Sequence, residues 1–400
     1  KNDLIMQLGK ILRGSQISLP KPQRVCSHAQ RRLVCTKAIT GGSAHAELLD
    51  ALGAYGSHSP LVAQLLSASL SHYLVRNPTV TASVSALTES GLMEQGTGIH
   101  HDHYAYRTFG VPGLGIASLA AVLQELGYSL REEGMTFPHK KLRAAWFAPP
   151  PPPKGGVQKL PRVFVSEVEV HKLSHKAQDI IHEYADSALR SHPHAHSSHS
   201  SHSQHSNGSQ HNAAAGPSSG TGLGGASVAT CVATGALPWH LPTKAAYDAL
   251  AAESEYAAWV LVHGYALNHT ALATHRMASQ QQQQREGSLE RVVAGLQGRG
   301  FRLNTDGGLI KTSPDGLLCQ ASTFSDSQAY TFRGGETATI PGAYIEFVER
   351  KVLSQYSHVA LEAVQEEHRR DGFEVGNADR LFTSTSQLQQ PAAAGAGLGT

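Results

Sequence analysis

The stretch GIHHDHYAYRTFG, residues 98–110, packs two tyrosines, an arginine and three histidines into thirteen positions and reads as a β-strand over 103–109. Strand alternation places His103, Ala105, Arg107 and Phe109 on one face and Tyr104, Tyr106 and Thr108 on the other. The His103 and Arg107 backbones then sit about 13 Å apart on a common face. That arrangement suits a metal at one end and an anion at the other, because a guanidinium fork meets a carboxylate through two bonds. Taken alone, H-x-x-x-R is better read as a surface histidine and a salt-bridging arginine. Two other segments add weight. YALNHTALA, 265–273, sets His269 in an otherwise apolar strand, and YIEFV, 344–348, sets Glu346 between apolar neighbours. A buried carboxylate without a partner is costly, and a cation is one partner. His103, His269 and Glu346 make a two-histidine, one-carboxylate set. On one face of a metal such a set leaves three positions open and suits non-haem Fe(II) with a chelating 2-oxo acid and O₂. His100 and His101 are alternative ligands by position.

Outward from these segments, strands are expected at 142–148 (LRAAWFA) and 162–170 (RVFVSEVEV). The prolines at 149–153 between them cannot donate to a sheet ladder, so they form a loop. Helical spacing of apolar residues runs through 45–76, broken near Gly53–Ser59 with Ser57 or Ser59 as a cap, and again over 114–127 and 174–190. Further on, helices are expected at 243–262 and 287–300, strands at 308–312, 316–323, 328–333 and 342–348, and a mainly helical stretch at 351–370. These are βαβββ-like pieces on both sides of a biased insert, an α+β architecture with two curved sheets facing a shared cavity. The insert, 191–230, is almost wholly Ser, His, Gly, Ala and Asn and carries seven histidines. It has too little apolar surface to offset its ordering entropy, so disorder is expected, with no rigid geometry for a metal store. GGASVATC, 224–231, falls inside it and is no phosphate-binding loop. Cys319 is expected as a buried free thiol, and Asp102 and Glu349, which flank the proposed ligands, as exposed charges, with support of those ligands as the alternative.

Composition sets outer limits. Of 400 residues, 33 are Lys or Arg and 31 Asp or Glu, a net charge of +2 that argues against a dedicated nucleic-acid binder. No apolar run reaches 18 residues, so no membrane-spanning helix is expected. Four cysteines in a chain this long do not make a disulfide framework. Residues 1–40 hold eight basic residues and one acid, a local +7, which leaves −5 for the rest. A basic, acid-poor lead of this kind resembles an organelle transit peptide.

In order along the chain, HHDHYAYRTFGVPGLGI, KKLRAAWF, PRVFVSE, YALNHTALATHR, SPDGLLCQAST, GAYIEFVERKVL and HRRDGFEVGNADRLFTSTS resemble the plant and algal branch of the 2-oxoadipate dioxygenase/decarboxylase family, the 2-hydroxyglutarate synthases. The resemblance spans about residues 50–388 outside the biased segments. It implies a vicinal oxygen chelate-like fold, βαβββ modules cupped around a metal, with 45–190 and 240–388 as the two parts of the catalytic domain and 389–400 as a flexible tail. It implies Fe(II) as cofactor, 2-oxoadipate and O₂ as substrates, 2-hydroxyglutarate and CO₂ as products, and a place in lysine breakdown. It implies a plastid stroma location, with the mitochondrion as the alternative. Residue by residue, it assigns His103, His269 and Glu346 to the metal and Arg107 to the substrate. A further substrate arginine of bacterial members has no fixed counterpart here; Arg369, Arg370 and Arg380 are the candidates. The competing expectations are another metal-dependent enzyme of the same fold, or a non-catalytic plastid protein acting through partners.

Overall fold

The computed structural model describes residues 41–53, 60–152, 160–191, 223–277 and 288–386. The expected leader, the Ser57 or Ser59 cap, most of the histidine-rich insert and the tail lie outside them. Strand β1 (His101–Phe109) leads into a helix (Ile116–Glu125) and then β2 (Ser129–Phe137), β3 (Leu142–Ala148) and β4 (Arg162–Val168). After a run of helices the pattern repeats: β5 (Leu267–Ala273), a helix (Ser288–Gly298), β6 (Lys311–Thr312) and β7 (Leu318–Ser322). A separate hairpin, β8 (Ser327–Thr331) and β9 (Thr337–Pro341), precedes β10 (Tyr344–Arg350).

The strands form one eight-stranded sheet in the order β2-β3-β4-β1-β5-β10-β7-β6. Each half is a βαβββ module, and the expected two sheets are joined into one where β1 and β5 pair antiparallel. The reason is burial. β1 and β5 are buried along their whole length, and a strand so placed needs partners on both edges for its backbone N–H and C=O groups. β4 and β10, each parallel to its neighbour, close the other edges of β1 and β5. The three strands expected to carry metal ligands, β1, β5 and β10, are therefore adjacent at the centre.

The outer face of the sheet packs on the helix Pro60–Arg76, where the Tyr106 hydroxyl meets Ser69 Oγ at 3.1 Å. The inner face is filled from the C-terminal side. The Phe373 ring lies 4.9 Å from that of His103 and 5.0 Å from that of Phe164.

Several expectations need correcting. Residues 351–370 are not mainly helical: they form three short 3₁₀ turns, Ser354–Tyr356, Leu361–Ala363 and Glu366–His368, mostly exposed. Their apolar residues lack a continuous stripe for the core to bury, and a helix needs one. Disorder is expected throughout 191–230, yet at its described end Gly225–Thr234 is a helix that buries Val228, Ala229, Cys231 and Val232. Those few apolar residues sit together at helical spacing, which the composition of the whole segment conceals. The helix expected over 243–262 is two, Lys244–Ala251 and Glu255–His263, because Ser254 starts the second by accepting from the Ala257 N–H at 3.2 Å. Strand β2, its residues exposed up to Gly134, has charges where alternation would be sought, as suits a sheet edge.

Candidate metal centre and substrate arginine

His103 on β1, His269 on β5 and Glu346 on β10 converge, with one ligand atom of each within 4.8 Å of the others. His103 Nε2 is 3.3 Å from His269 Nε2, and the Glu346 oxygens lie 3.5 Å and 3.2 Å from the two imidazoles. All three side chains are buried, at 2, 7 and 1% exposure. Each histidine is oriented by the residue before it. His103 Nδ1 donates to Asp102 Oδ1 at 2.8 Å, and His269 Nδ1 donates to Asn268 Oδ1 at 3.0 Å. With the proton held on Nδ1, both Nε2 lone pairs point inward beside a carboxylate. Three electron-pair donors facing one another in a buried space repel unless a cation sits between them. The donor set therefore fits a metal ion.

The electrostatics agree for His269 and Glu346. At His103, burial is outweighed by Asp102 and Glu346, which raise the pKa, so a metal there displaces a proton. Burial takes the His269 pKa down to about 3, despite the opposing Glu346 charge, so this imidazole is neutral and ready to ligate. Burial alone would raise the Glu346 pKa, but His269 and His103 outweigh it and keep the carboxyl below its usual value. Gln320 on β7 donates to Glu346 Oε2 at 3.3 Å.

Asp102 is buried, against expectation. A register shift between His101 and His103 on the β5 side turns it inward. Arg350 grips it with Nε at 2.7 Å and Nη2 at 2.9 Å, and Arg162 stands 3.5 Å away. Burial would raise the Asp102 pKa, yet Arg350 and the His103 bond hold it well below the carboxylate range. The same shift removes His101 from contention as a ligand: its Nδ1 faces Thr270 Oγ1 at 3.1 Å and its Nε2 the Leu48 carbonyl at 3.0 Å. Glu349 is also buried, accepting from Ser288 Oγ at 2.8 Å. Its partner lies in a distant helix, which no local pattern announces.

Arg107 shares its strand with His103, in an unbroken register with β4. It is fully buried under three rings, Tyr256, Trp259 and Phe382, at 5.0, 5.2 and 5.5 Å. Nη1 donates to Thr385 Oγ1 at 2.9 Å, while Nε and Nη2 have no hydrogen-bond partner. A cavity of about 290 Å³ reaches it, bordered by Lys140, Glu253, Tyr256, Phe382 and Thr385. The three other arginines are occupied elsewhere or exposed. Arg369 donates to the Arg350 carbonyl at 2.8 Å, Arg370 pairs with Asp315 at 3.2 Å, and Arg380 lies over Gly307 at the surface.

Sequence reasoning missed Arg350, Gln320, Asn268 and Thr385 as members of the site. Asp102-His103 and Asn268-His269 share a signal that was available: an acceptor side chain directly before an inward histidine. For Arg350, Gln320 and Thr385 the sequence holds no comparable sign.

The chain is similar to known proteins over most of its length. A family profile described as 2-oxoadipate dioxygenase/decarboxylase matches residues 49–365. A rice (Oryza sativa subsp. japonica) protein named "2-oxoadipate dioxygenase/decarboxylase, chloroplastic/amyloplastic" is 42% identical over 322 residues, 79% of this chain and 76% of the relative. An Arabidopsis thaliana protein, "2-oxoadipate dioxygenase/decarboxylase, chloroplastic", is 41% identical over 79% of this chain and 75% of its own length. The crystal structure of a rice hydroxyglutarate synthase in complex with 2-oxoadipate superposes with a TM-score of 0.68 at 38% identity, covering 85% of this chain and 94% of the other. A glyoxalase-superfamily structure from Ralstonia eutropha, at 17% identity and TM-score 0.53 over 92% of this chain and 98% of the other, shares the fold.

Proposed function

The chain belongs to the 2-oxoadipate dioxygenase/decarboxylase family, and on that footing we propose that it is a non-haem Fe(II) enzyme of the plastid stroma. It converts 2-oxoadipate and O₂ into 2-hydroxyglutarate and CO₂, a step of lysine breakdown. The observation that carries this reading is the pairing of two unmet needs on one sheet face. Three buried donors, His103, His269 and Glu346, call for a cation, and a buried guanidinium with two unpartnered nitrogens calls for an anion. A 2-oxo diacid supplies a chelating head for the first and a carboxylate for the second.

Bound iron would supply the activation of O₂ and the polarisation of the 2-oxo group. The chain's own residues do the rest. Asp102 and Asn268 keep the protons on the Nδ1 atoms, so both Nε2 atoms stay available. Arg107 receives the distal carboxylate through Nε and Nη2, while Thr385 fixes the guanidinium plane. Tyr256, Trp259 and Phe382 exclude water from that contact, which strengthens a charged hydrogen bond. Atoms balance with one CO₂ and one 2-hydroxyglutarate per 2-oxoadipate and O₂. The test is an oxygen electrode with the Fe(II)-loaded chain and 2-oxoadipate, coupled to product chromatography. Uptake of O₂ in equal amount to 2-hydroxyglutarate is expected. A chain that holds iron yet consumes no O₂ with any 2-oxo diacid would overturn the proposal.

A further inference from the structure

His103 and His269 are each oriented by the side chain directly before them, but Glu346 follows Ile345 and has no such neighbour. Its support comes from across the sheet. Gln320 on β7 stands opposite Val348 of β10, two residues from Glu346, so Gln320 and Glu346 project to the same face. Gln320 Nε2 donates to Glu346 Oε2 at 3.3 Å. An amide has two ends of nearly equal shape. Turned over, Gln320 would set its Oε1 against the carboxylate, and two acceptors repel.

Asn377 decides which end faces Glu346. It is buried in the helix Val375–Leu381, just after Phe373, whose ring packs on His103. Its Nδ2 lies 3.1 Å from Gln320 Oε1, 3.2 Å from the Lys311 carbonyl and 3.3 Å from the Leu318 carbonyl. Backbone carbonyls only accept, so Asn377 must bring its NH₂ to this spot. That NH₂ draws the Gln320 oxygen toward it and leaves the Gln320 NH₂ for Glu346. The orientation is thus set by the backbone of β6 and β7 and passed on through two amides. We propose that Asn377 is a positioning residue that acts through Gln320 to hold the Glu346 carboxylate toward the two histidines. The end of a glutamate turns about a broad terminal torsion. A fixed donor on Oε2 sets the plane in which Oε1, 3.2 Å from His269 Nε2, is presented. The inference rests on the reading of His103, His269 and Glu346 as metal ligands given above.

The test is a double-mutant cycle on the full chain, titrated with Co(II) and followed by the visible absorption of the bound ion. Gln320→Met keeps the length of the side chain and removes the relay. Asn377→Leu removes its source, and the Leu318 carbonyl still accepts from the Ser313 N–H. Each single variant should bind Co(II) about tenfold more weakly, as for loss of a group that orients a ligand. The two combined should match Gln320→Met to within about twofold, because Asn377 has no route to the metal once Gln320 is gone. Urea unfolding of the metal-free proteins checks folding. If Asn377→Leu does not fold, Asn377→Ser takes its place: its shorter hydroxyl bonds a carbonyl but does not reach Gln320. Unchanged Co(II) affinity in either single variant overturns the proposal, as do losses that multiply in the combined variant. A wild-type chain that binds no Co(II) overturns it together with the metal reading, an outcome distinct from the others.

Discussion

Two arginines, Arg350 and Arg107, are each buried to within a few per cent in the same sheet, and they are opposites in hydrogen bonding. Arg350, behind the candidate metal site, donates to both Asp102 oxygens and to the carbonyls of Arg370 and Gly372. Arg107, in front, donates once, to Thr385, and leaves two nitrogens unmet. Burial does not separate them; the count of satisfied donors does. A fully bonded buried ion belongs to the framework. A partly bonded one is held at a cost that only a ligand relieves.

The contrast breaks most readily under substitution. Arg350→Met should strand the Asp102 carboxylate and destabilise the fold by about 3–5 kcal/mol, read from the midpoint of urea unfolding. Arg107→Met, of similar volume and beneath the same rings, should change stability by less than about 1 kcal/mol, because it exchanges an underpaired charge for apolar contact. Its effect should appear in binding, with 2-oxoadipate affinity for the metal-loaded chain falling about a hundredfold by calorimetry. If the two variants unfold at the same urea concentration, the distinction fails.

The same logic shows what the sequence made legible. Two of the candidate metal residues were readable because each stands in a largely apolar strand: His269 in YALNHTALA and Glu346 in YIEFV. The β1 alternation placed His103 and Arg107 on one face correctly because the β4 register runs unbroken. The bulge on the β5 side was not legible. It depends on how two distant strands pair, and it turned Asp102 inward and His101 away. Arg350 and Thr385 were hidden for a related reason, since their partners lie 248 and 278 residues away. The single sheet in place of two also follows from strand pairing across the whole chain, beyond any local period.

Smaller effects sharpen the comparison between the supports of the two histidines. Asn268→Ala removes a neutral acceptor from His269 and should weaken metal affinity about tenfold, with little change in stability. Behind the site, Glu366 faces His275, Arg162 and Arg276. Burial would raise its pKa, but these partners carry it far below the carboxylate range. A carboxyl with a depressed folded pKa contributes stability that is complete above its unfolded pKa and is lost as pH falls toward the folded value. The wild-type chain should therefore lose stability as pH falls below about 4.5, and Glu366→Gln should show a shallower loss in urea unfolding at stepped pH.

The most direct test of the account is metal analysis of the purified, Fe(II)-reconstituted chain beside His103→Ala, His269→Ala and Glu346→Ala. One iron per wild-type chain and loss of iron from all three variants, each still folded, is the predicted result. Full iron content in any one of them would contradict the assignment of the metal centre.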